Sequence, residues 1–440
     1  MRLVLQYSPR LQVLAGSLGY ELLTGERFEE VVVVSEAQIS DAEQRRLREL
    51  AEAVGAGLRV VVLGDDLRAW ASLELPDGVV LDITPGRKIY ALFLLQKCLK
   101  ATGCRARYLL VRDEARYGYR FFGYMPRWAF KFIEFHPELR EVWVDVGGAR
   151  EAYKHLRPPQ PLRVVPETLH ALVNLYSLSG EEYFEVEACG GFARFRFAEA
   201  GLTLENYHEA GRGDVEAFRE AVSSLLVLES HGRVRERIES CFAEGGVVVP
   251  DTNILVHGRF FDELRRNYNQ VEVVAPVWGD IVHHVVGEKL TTKSKMMTLA
   301  LKRAEALNKV VPSGVREARG DKAILDALKE LADTRRKVCF LTADQRLHQL
   351  ANNVLRGDSI LLEVPGEPEH GSPVCVEDLY NLFLNLAYWC GSLALRVGGR
   401  VYRVEAREDS LTKWPPELRL REPSDPVEVY LVDKAVRATL

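Results

Sequence analysis

The stretch 247–255, VVVPDTNIL, joins a run of valines to an acidic residue and to the start of a helical pattern. A continuous valine run predicts a strand that is buried on both faces. Similar apolar runs return at 337–342 (KVCFLT) and 359–364 (SILLEV), and helical patterns lie between them. Because strands that alternate with helices form parallel sheets, we predict a helix-covered parallel sheet here.

The first 150 residues show the same alternation over a longer stretch. Helical patterns lie at 11–23, 41–56 and 87–103, and β-rich runs separate them. This order predicts an α/β fold with a parallel sheet and helices on both of its sides. The strand candidates are 3–7, 31–35, 59–64, 79–83, 107–111 and 141–146.

Changes of pattern divide the chain into four predicted units. The proline-rich run RPPQP at 157–161 interrupts regular structure after the first unit. We therefore predict an α/β domain, a connector with helices and a β-hairpin, a second α/β domain, and an extension whose role the sequence leaves open. These units span 1–150, 151–245, 246–365 and 366–440.

The composition excludes several classes of protein. Hydrophobic residues make up 47% and charged residues 28% of the chain, as in globular proteins. We find no apolar run long enough to cross a bilayer and no signal peptide, so we expect a cytoplasmic protein that is not in a membrane. The seven cysteines are odd in number and lack a CxxC pair, which favours buried free thiols over a zinc site or a disulfide framework.

Net charge alone does not indicate a nucleic-acid-binding protein, because it is −5. One segment departs from this acidic balance: 289–303, KLTTKSKMMTLALKR, has five basic residues and no acidic one. Such a segment can follow a phosphate backbone. It can equally be the solvated face of a helix, and the sequence leaves both readings open.

Four aspartates stand where the predicted strands end or helices begin. Asp251 and Asp344 follow strands, Asp280 comes shortly after the predicted strand 271–276, and Asp321 opens a helix. In a parallel sheet these positions share one rim. Four carboxylates repel one another unless a cation lies among them, and Mg²⁺ or Mn²⁺ suits oxygen ligands. For each aspartate taken alone, capping a helix explains its position equally well.

The strings VVVPDTNIL, DKAILDAL and FLTADQRL together resemble the PIN-domain nuclease family over about 120 residues. The resemblance implies metal-dependent cleavage of single-stranded RNA, with Asp251, Asp321 and Asp344 as metal ligands and catalytic residues. It also implies that Asn253 and Thr342 support these carboxylates. Asp280 departs from the family pattern, which more often has Glu at another spacing. Asp262 or Glu288 therefore stay open as the second acidic ligand.

A second motif is DITPGRK at 82–88, which begins at the end of the apolar strand candidate 79–83. Gly86 lets the backbone approach a ligand, and helix amides beside Arg87 and Lys88 favour phosphate. A nicotinamide cofactor fits poorly, because no GxGxxG follows the first strand.

DITPGRK after an apolar strand resembles the CARF family, the Rossmann-like sensor domains of CRISPR-associated proteins, and LQYSPRL at 5–11 agrees. The resemblance implies that Ser8, Thr84, Gly86, Arg87 and Lys88 bind cyclic oligoadenylate across a homodimer interface. It also implies that this ligand switches on an attached effector.

The two resemblances together predict a CRISPR-associated accessory ribonuclease that cyclic oligoadenylate activates. Two alternatives stay open. One is a constitutive toxin-like or RNA-processing nuclease whose N-terminal domain only forms dimers. The other is a nucleotide-binding regulator that no longer cleaves RNA.

Overall fold

The structure, a computed structural model, confirms the α/β class. The part of the chain that it describes contains three sheets. Helices pack against each of them, and the first and third sheets are parallel in their central strands. The described residues are 1–8, 10–112, 123, 125–198, 201–210, 214–286, 291–308, 319–334, 337–406, 414–421, 423 and 425–440.

The first sheet has the strand order β3-β2-β1-β4-β5-β6-β7. Strands β1 to β5 are parallel, and β6 and β7 continue the sheet in antiparallel fashion. The parallel part is that predicted from the valine-rich runs. The strands are β1 (Arg2–Gln6), β2 (Glu30–Ser35), β3 (Gly57–Val62), β4 (Val80–Asp82), β5 (Arg105–Val111), β6 (Phe130–His136) and β7 (Arg140–Glu141).

The prediction of a strand at 141–146 is wrong for all of these residues except Glu141, which ends β7. The Asp145 carboxylate accepts a hydrogen bond from the Gly148 amide at 2.8 Å, and this cap starts a helix at Val146. A valine-rich string therefore gives way to a helix because its last polar residue is a good N-cap. The helices of this part are α1 (Leu11–Leu22), α2 (Asp41–Ala53), α3 (Leu67–Ser72), α4 (Lys88–Cys98) and α5 (Val146–Ala152).

The second sheet is antiparallel and joins strands from the connector to strands of the C-terminal extension, in the order β15-β11-β10-β9-β16-β17-β18-β8. Two stretches that the sequence presents as separate units thus share one sheet. Its strands are β8 (Arg163–Val164), β9 (Tyr183–Ala188), β10 (Gly191–Phe197), β11 (Leu202–Glu209), β15 (Pro373–Val374), β16 (Ser392–Val397), β17 (Arg400–Ala406) and β18 (Leu418–Arg421).

One face of this sheet is apolar and packs on helices. Side chains alternate between buried and more exposed along its strands, as a half-covered sheet requires. The helices around it are α6 (Pro166–Leu178), α7 (Val215–Ser223), α15 (Leu379–Trp389) and α16 (Pro426–Thr439).

The third sheet consists of the parallel strands β12 (Val247–Pro250), β13 (Val338–Thr342) and β14 (Ser359–Leu361). Several helices surround it, and most agree with the helical patterns of the sequence. They are α8 (Ser230–Ala243), α9 (Thr252–His257), α10 (Phe261–Arg266), α11 (Ala275–Val286), α12 (Thr292–Leu307), α13 (Gly320–Thr334) and α14 (Gln345–Val354).

The predicted strand 271–276 is reduced to a single bridge between Val271 and Val248. Helix α11 already begins at Ala275, because Pro276 suits the first turn of a helix and ends strand pairing. Asp280 therefore projects from within a helix and does not follow a strand.

Arg303 corrects the interpretation of the basic segment. Its side chain is fully buried and donates to the carbonyls of Leu255 and Val256 at the end of α9. It also donates to Asn381 and Asn385 of α15 at 3.0 and 2.8 Å. Burial lowers the pKa of Arg303 to about 10. This residue fixes α9 to the neighbouring unit and cannot follow a phosphate backbone.

Three cysteine pairs form disulfides, so the expectation of free thiols is wrong for six of the seven cysteines. The pairs are Cys98–Cys104, Cys189–Cys390 and Cys241–Cys339, and Cys375 is free and buried. Two of the pairs join residues 201 and 98 positions apart, a proximity that spacing in the sequence does not reveal. Across the described ranges, we find no helix with the length and apolar character needed to span a membrane.

Candidate functional site

Strand register brings Asp251 beside Thr342. Strands β12 and β13 are parallel, and Pro250 lies opposite Leu341. The residue after each therefore emerges at the same edge of the sheet. The Thr342 hydroxyl donates to one Asp251 oxygen at 2.7 Å, and the Thr252 amide donates to the other at 2.7 Å. Thr342 thus orients the Asp251 carboxylate.

Asp251 is only 4% exposed, and no basic side chain pairs with it among the described residues. Burial raises its pKa, and the charges of Asp280 and Asp344 raise that pKa further, against the lowering effect of the Thr342 and Thr252 hydrogen bonds. Asp280 and Asp344 therefore lie close enough to Asp251 to repel its charge.

Asp280 and Asp321 extend this group of acids. The Gly320 amide at the start of α13 donates to Asp280 at 3.3 Å. Burial raises the pKa of Asp280, the adjacent Asp321 also raises it, and the nearby His284 lowers it. We call Asp251, Asp280, Asp321 and Asp344 the carboxylate site.

The other predicted residues of this region lie around the carboxylate site. Asp344 is exposed; its side chain accepts from the Leu347 amide at 2.8 Å, and its own amide donates to the Thr342 hydroxyl at 3.0 Å. Asn253 is exposed in the first turn of α9.

Asp262 and Glu288 are the two alternatives for the second acidic metal ligand. Asp262 lies in α10, and its charge acts on Arg303 at the far end of α9. Glu288 lies outside the described residues.

The carboxylate site offers only oxygen donors, the type that a hard divalent cation requires. Within the described ranges no three His, Cys, Asp or Glu side chains are gathered tightly enough to enclose a metal. A magnesium ion needs no such cage, since one or two carboxylates, waters and a substrate phosphate suffice. Asp280 and Asp344 repel the charge of the buried Asp251 carboxylate, and no basic side chain of the described residues offsets this repulsion. A bound cation would offset it.

The DITPGRK turn, residues 82–88, lies at the matching edge of the first sheet. Leu5 of β1 pairs with Asp82 of β4, so the residues after both strands emerge together. Gly86 has a φ of +91°, and its α-carbon lies directly over Gln6. The Gln6 amide nitrogen donates to the Arg87 carbonyl at 3.0 Å.

Two of the predicted ligand-binding hydroxyls are used within the fold. The Thr84 hydroxyl accepts from the Leu109 amide at 2.8 Å, and the Thr84 amide donates to Asp82 at 2.8 Å. Ser8 follows β1, is 6% exposed, and its hydroxyl accepts from the Arg10 amide at 3.2 Å. Both side chains hold the turn and the strand end in place, and their contact with a ligand stays a prediction.

The cationic residues of the turn are more accessible. Lys88 is exposed at the first position of α4. Arg87 is 67% exposed and lies 3.4 Å from Glu36, which follows β2. Three strand ends therefore meet at this edge, with two cations at its rim.

Gln6 and Glu36 also lie at this edge, and the sequence does not predict them as site residues. Gln6 is fully buried and Glu36 is largely buried. The Gln6 amide oxygen and one Glu36 carboxylate oxygen have no hydrogen-bond partner among the described residues. A polar residue at the end of an apolar strand, as in LVLQ, was the available signal for Gln6.

We expect Gly86→Ala to destabilise the turn far more than Gly64→Ala. Both glycines have positive φ, at +91° and +72°, and an alanine there costs about 1–2 kcal/mol. At Gly64 an added Cβ meets nothing within 4 Å, whereas at Gly86 it would lie 2.2 Å from the Gln6 side chain. Overpacking adds about 1–3 kcal/mol at Gly86. Urea unfolding of both variants measures the difference, and equal losses would contradict the close contact with Gln6.

Comparisons with known proteins do not assign the chain to a family. No family model matches it, and no curated protein matches it either. A search of solved structures finds similarity to one titled "Structure of a Type III CRISPR defence DNA nuclease activated by cyclic oligoadenylate". The two are 11% identical, with 87% of this chain and 70% of that chain covered, at a TM-score of 0.25. A superposition this loose does not establish a common fold.

Proposed function

We propose that the chain is a metal-dependent endoribonuclease that a cyclic oligoadenylate activates. The observation that carries the nuclease part is the buried Asp251 carboxylate, which Thr342 orients and which has Asp280 and Asp344 nearby but no basic partner among the described residues. Acids at the ends of α/β strands that lack a basic partner favour a cation and, through it, a phosphodiester.

Within this proposal the residues have separate roles. Asp251, Asp321 and Asp344 would hold Mg²⁺ or Mn²⁺, and Asp280 would act beside them as a further catalytic carboxylate. Bound metal supplies an activated water and neutralises charge on the phosphoryl group. Thr342 keeps Asp251 in one orientation through its hydrogen bond.

Single-stranded RNA is the proposed substrate, and the resemblance to PIN-domain nucleases supports this choice. Labelled RNA and DNA strands of the same sequence, incubated with Mg²⁺, with Mn²⁺ and with EDTA, test it. We expect cleavage of RNA only, and only with metal. Cleavage of DNA alone would overturn the substrate, and cleavage in EDTA would overturn the metal.

The sensor part of the proposal rests on the DITPGRK turn and its exposed Arg87 and Lys88. Helix amides and two cations at one sheet edge suit the phosphates of a cyclic oligoadenylate. The resemblance to CARF domains supports this ligand and the role in CRISPR-linked antiviral defence. Wild-type RNA cleavage that is full without ligand would favour the constitutive alternative.

We also propose a homodimer through the N-terminal unit. Helix α4 and its C-cap residue expose Ile89, Leu92 and Leu99 to solvent at 49, 61 and 58%. Large exposed apolar side chains on one helix are typical of an interaction surface. Because α4 begins at Lys88, a two-fold contact along it would bring two ligand turns near one symmetric ligand.

Light scattering tests the dimer. We expect a dimeric mass for the wild type and for Leu139→Glu, whose leucine is 78% exposed elsewhere in the unit. Leu92→Glu should give a monomer, because it places a charge within the proposed interface. A monomeric wild type, or a dimeric Leu92→Glu variant, would count against this contact.

A further inference from the structure

The outer face of the second sheet carries an unusual set of charges. Strands β9, β10, β16, β17 and β18 alternate in burial, and the side chains of this face point away from α6 and α15. Its charged residues comprise six arginines and three glutamates, in a chain with a net charge of −5. We call it the arginine face: Arg194, Arg196, Arg396, Arg403, Arg419, Arg421, Glu185, Glu187 and Glu405.

Like and opposite charges both face each other across these strands: Glu405 of β17 pairs with Arg419, and Glu185 of β9 pairs with Arg194 and Arg396. Arg403 of β17 pairs with Arg421 of β18, and Arg419 of β18 pairs with Arg163 of β8. Cross-strand pairs of like charge destabilise a sheet. Across the β17–β18 pair Arg403 thus faces a like charge, which is a local cost to the sheet.

Three of the six arginines of the face, namely Arg194, Arg396 and Arg421, lie within ion-pair distance of its glutamates. Arg421 lies 2.6 Å from Glu405, and Arg163 lies 3.9 Å from Glu417. Arg403 and Arg419 are exposed and form no ion pair with any described residue. Their charge is available to a polyanion.

The face also has a hollow and a tyrosine ring that suit a strand of nucleotides. An open hollow of about 410 Å³ is lined by Arg396, Arg403 and Arg421 together with Glu187 and Glu405. Beside it, Arg194 and Arg196 lie 5.9 and 5.7 Å from the centre of the Tyr183 ring. Cationic grooves with aromatic rings bind single strands through phosphate contacts and stacking.

We propose that the arginine face binds single-stranded nucleic acid, apart from the carboxylate site. Helix α15 lies against the opposite side of this sheet. There its Asn381 and Asn385 accept hydrogen bonds from Arg303, which belongs to the unit that contains the carboxylate site. Binding at the arginine face therefore needs no metal. The choice of nucleic acid among polyanions rests on the proposed function, and the binding itself is tested without cleavage.

The experiment measures fluorescence anisotropy of a labelled uridine-rich oligoribonucleotide with the full chain in EDTA. The variant is Arg403→Glu with Arg419→Glu. The matched control is Arg45→Glu with Arg46→Glu, two exposed arginines of α2 that have no ion pair among the described residues. We expect at least about tenfold weaker binding for the first variant and a near wild-type affinity for the control.

Neutral variants give a second readout. Arg403→Gln with Arg419→Gln should reduce the slope of log affinity against log salt by about 1.4, since each phosphate contact to a single strand contributes about 0.7. Thermal melting shows whether these exposed changes leave the fold intact. An unchanged slope in a folded variant would overturn the proposal.

Other results separate this proposal from the proposed nuclease function. Absent wild-type binding, or equal weakening in the α2 control, would overturn the arginine face as a binding surface. Binding to vesicles with anionic lipids but not to RNA would overturn it in favour of a membrane surface. RNA binding that depends on Arg403 and Arg419, in a protein that cleaves nothing, would support the surface and contradict only the nuclease.

Discussion

The Asp251→Asn variant is expected to cleave RNA at least about a thousandfold more slowly than the wild type. A thousandfold loss corresponds to about 4 kcal/mol of transition-state stabilisation, within what a metal ion supplies. Asp251 is the buried member of the carboxylate site, and the charges of Asp280 and Asp344 surround it. An amide there removes the charge that would hold the cation.

The same variant should remain folded, and its stability should respond differently to pH. Burial first of all raises the pKa of Asp251 above its ordinary value. A raised carboxyl pKa means that the fold favours the protonated form. The free energy of unfolding of the wild type therefore falls as the pH rises from the pKa of Asp251 in the unfolded chain through its pKa in the folded protein. The Asp251→Asn variant has no carboxyl at this position and lacks this loss of stability.

Cleavage rates and urea unfolding across pH measure these effects. Asp326→Asn is the matched control, because Asp326 is exposed on α13 and lies five residues beyond Asp321. The control should keep wild-type activity. Full activity of Asp251→Asn would remove the carboxylate site from the mechanism, and an unfolded variant would leave Asp280→Asn as the decisive change.

The double variant Arg87→Ala with Lys88→Ala should lose activation by ligand and retain basal cleavage. Charge-assisted hydrogen bonds contribute about 1.5 kcal/mol each, so losing two weakens ligand binding on the order of a hundredfold. The fold should tolerate the change, since the Arg87–Glu36 pair is 67% exposed on its arginine side and such pairs stabilise little.

Rates of RNA cleavage against ligand concentration measure this effect. Lys100→Ala removes an exposed lysine just beyond the end of α4 and serves as the control. An activation curve that is the same for all three proteins would place the ligand elsewhere. Loss of basal cleavage in the double variant would indicate that the start of α4 has a structural role.

The sequence predicts best where local pattern and position on a strand agree. Apolar runs identify β1, β2, β12 and β13, and parallel pairing then requires Asp251 and Thr342 to meet. The placement of Asp280 is predicted less well, because Pro276 starts a helix inside an apolar run that resembles a strand.

Contacts between distant parts of the chain could not be predicted. Strand β9 pairs with β16 although some two hundred residues separate them, and nothing local to either indicates the partner. Arg303 lies in a basic segment, yet its guanidinium satisfies the carbonyls at the end of α9 and two asparagines of α15. Whether such a residue faces solvent depends on packing that residue type alone does not determine.

The decisive measurement is the rate of RNA cleavage by the wild type as cyclic tetra-adenylate or cyclic hexa-adenylate is added, in Mg²⁺ and in EDTA. Activation requires that the ligand bind the active state more tightly than the inactive one. We predict a rate that rises to a plateau with one of the two ligands in Mg²⁺ and no cleavage in EDTA. A rate that does not change with either ligand would contradict the proposed sensing of cyclic oligoadenylate. Cleavage in EDTA would contradict the proposed metal dependence of the carboxylate site.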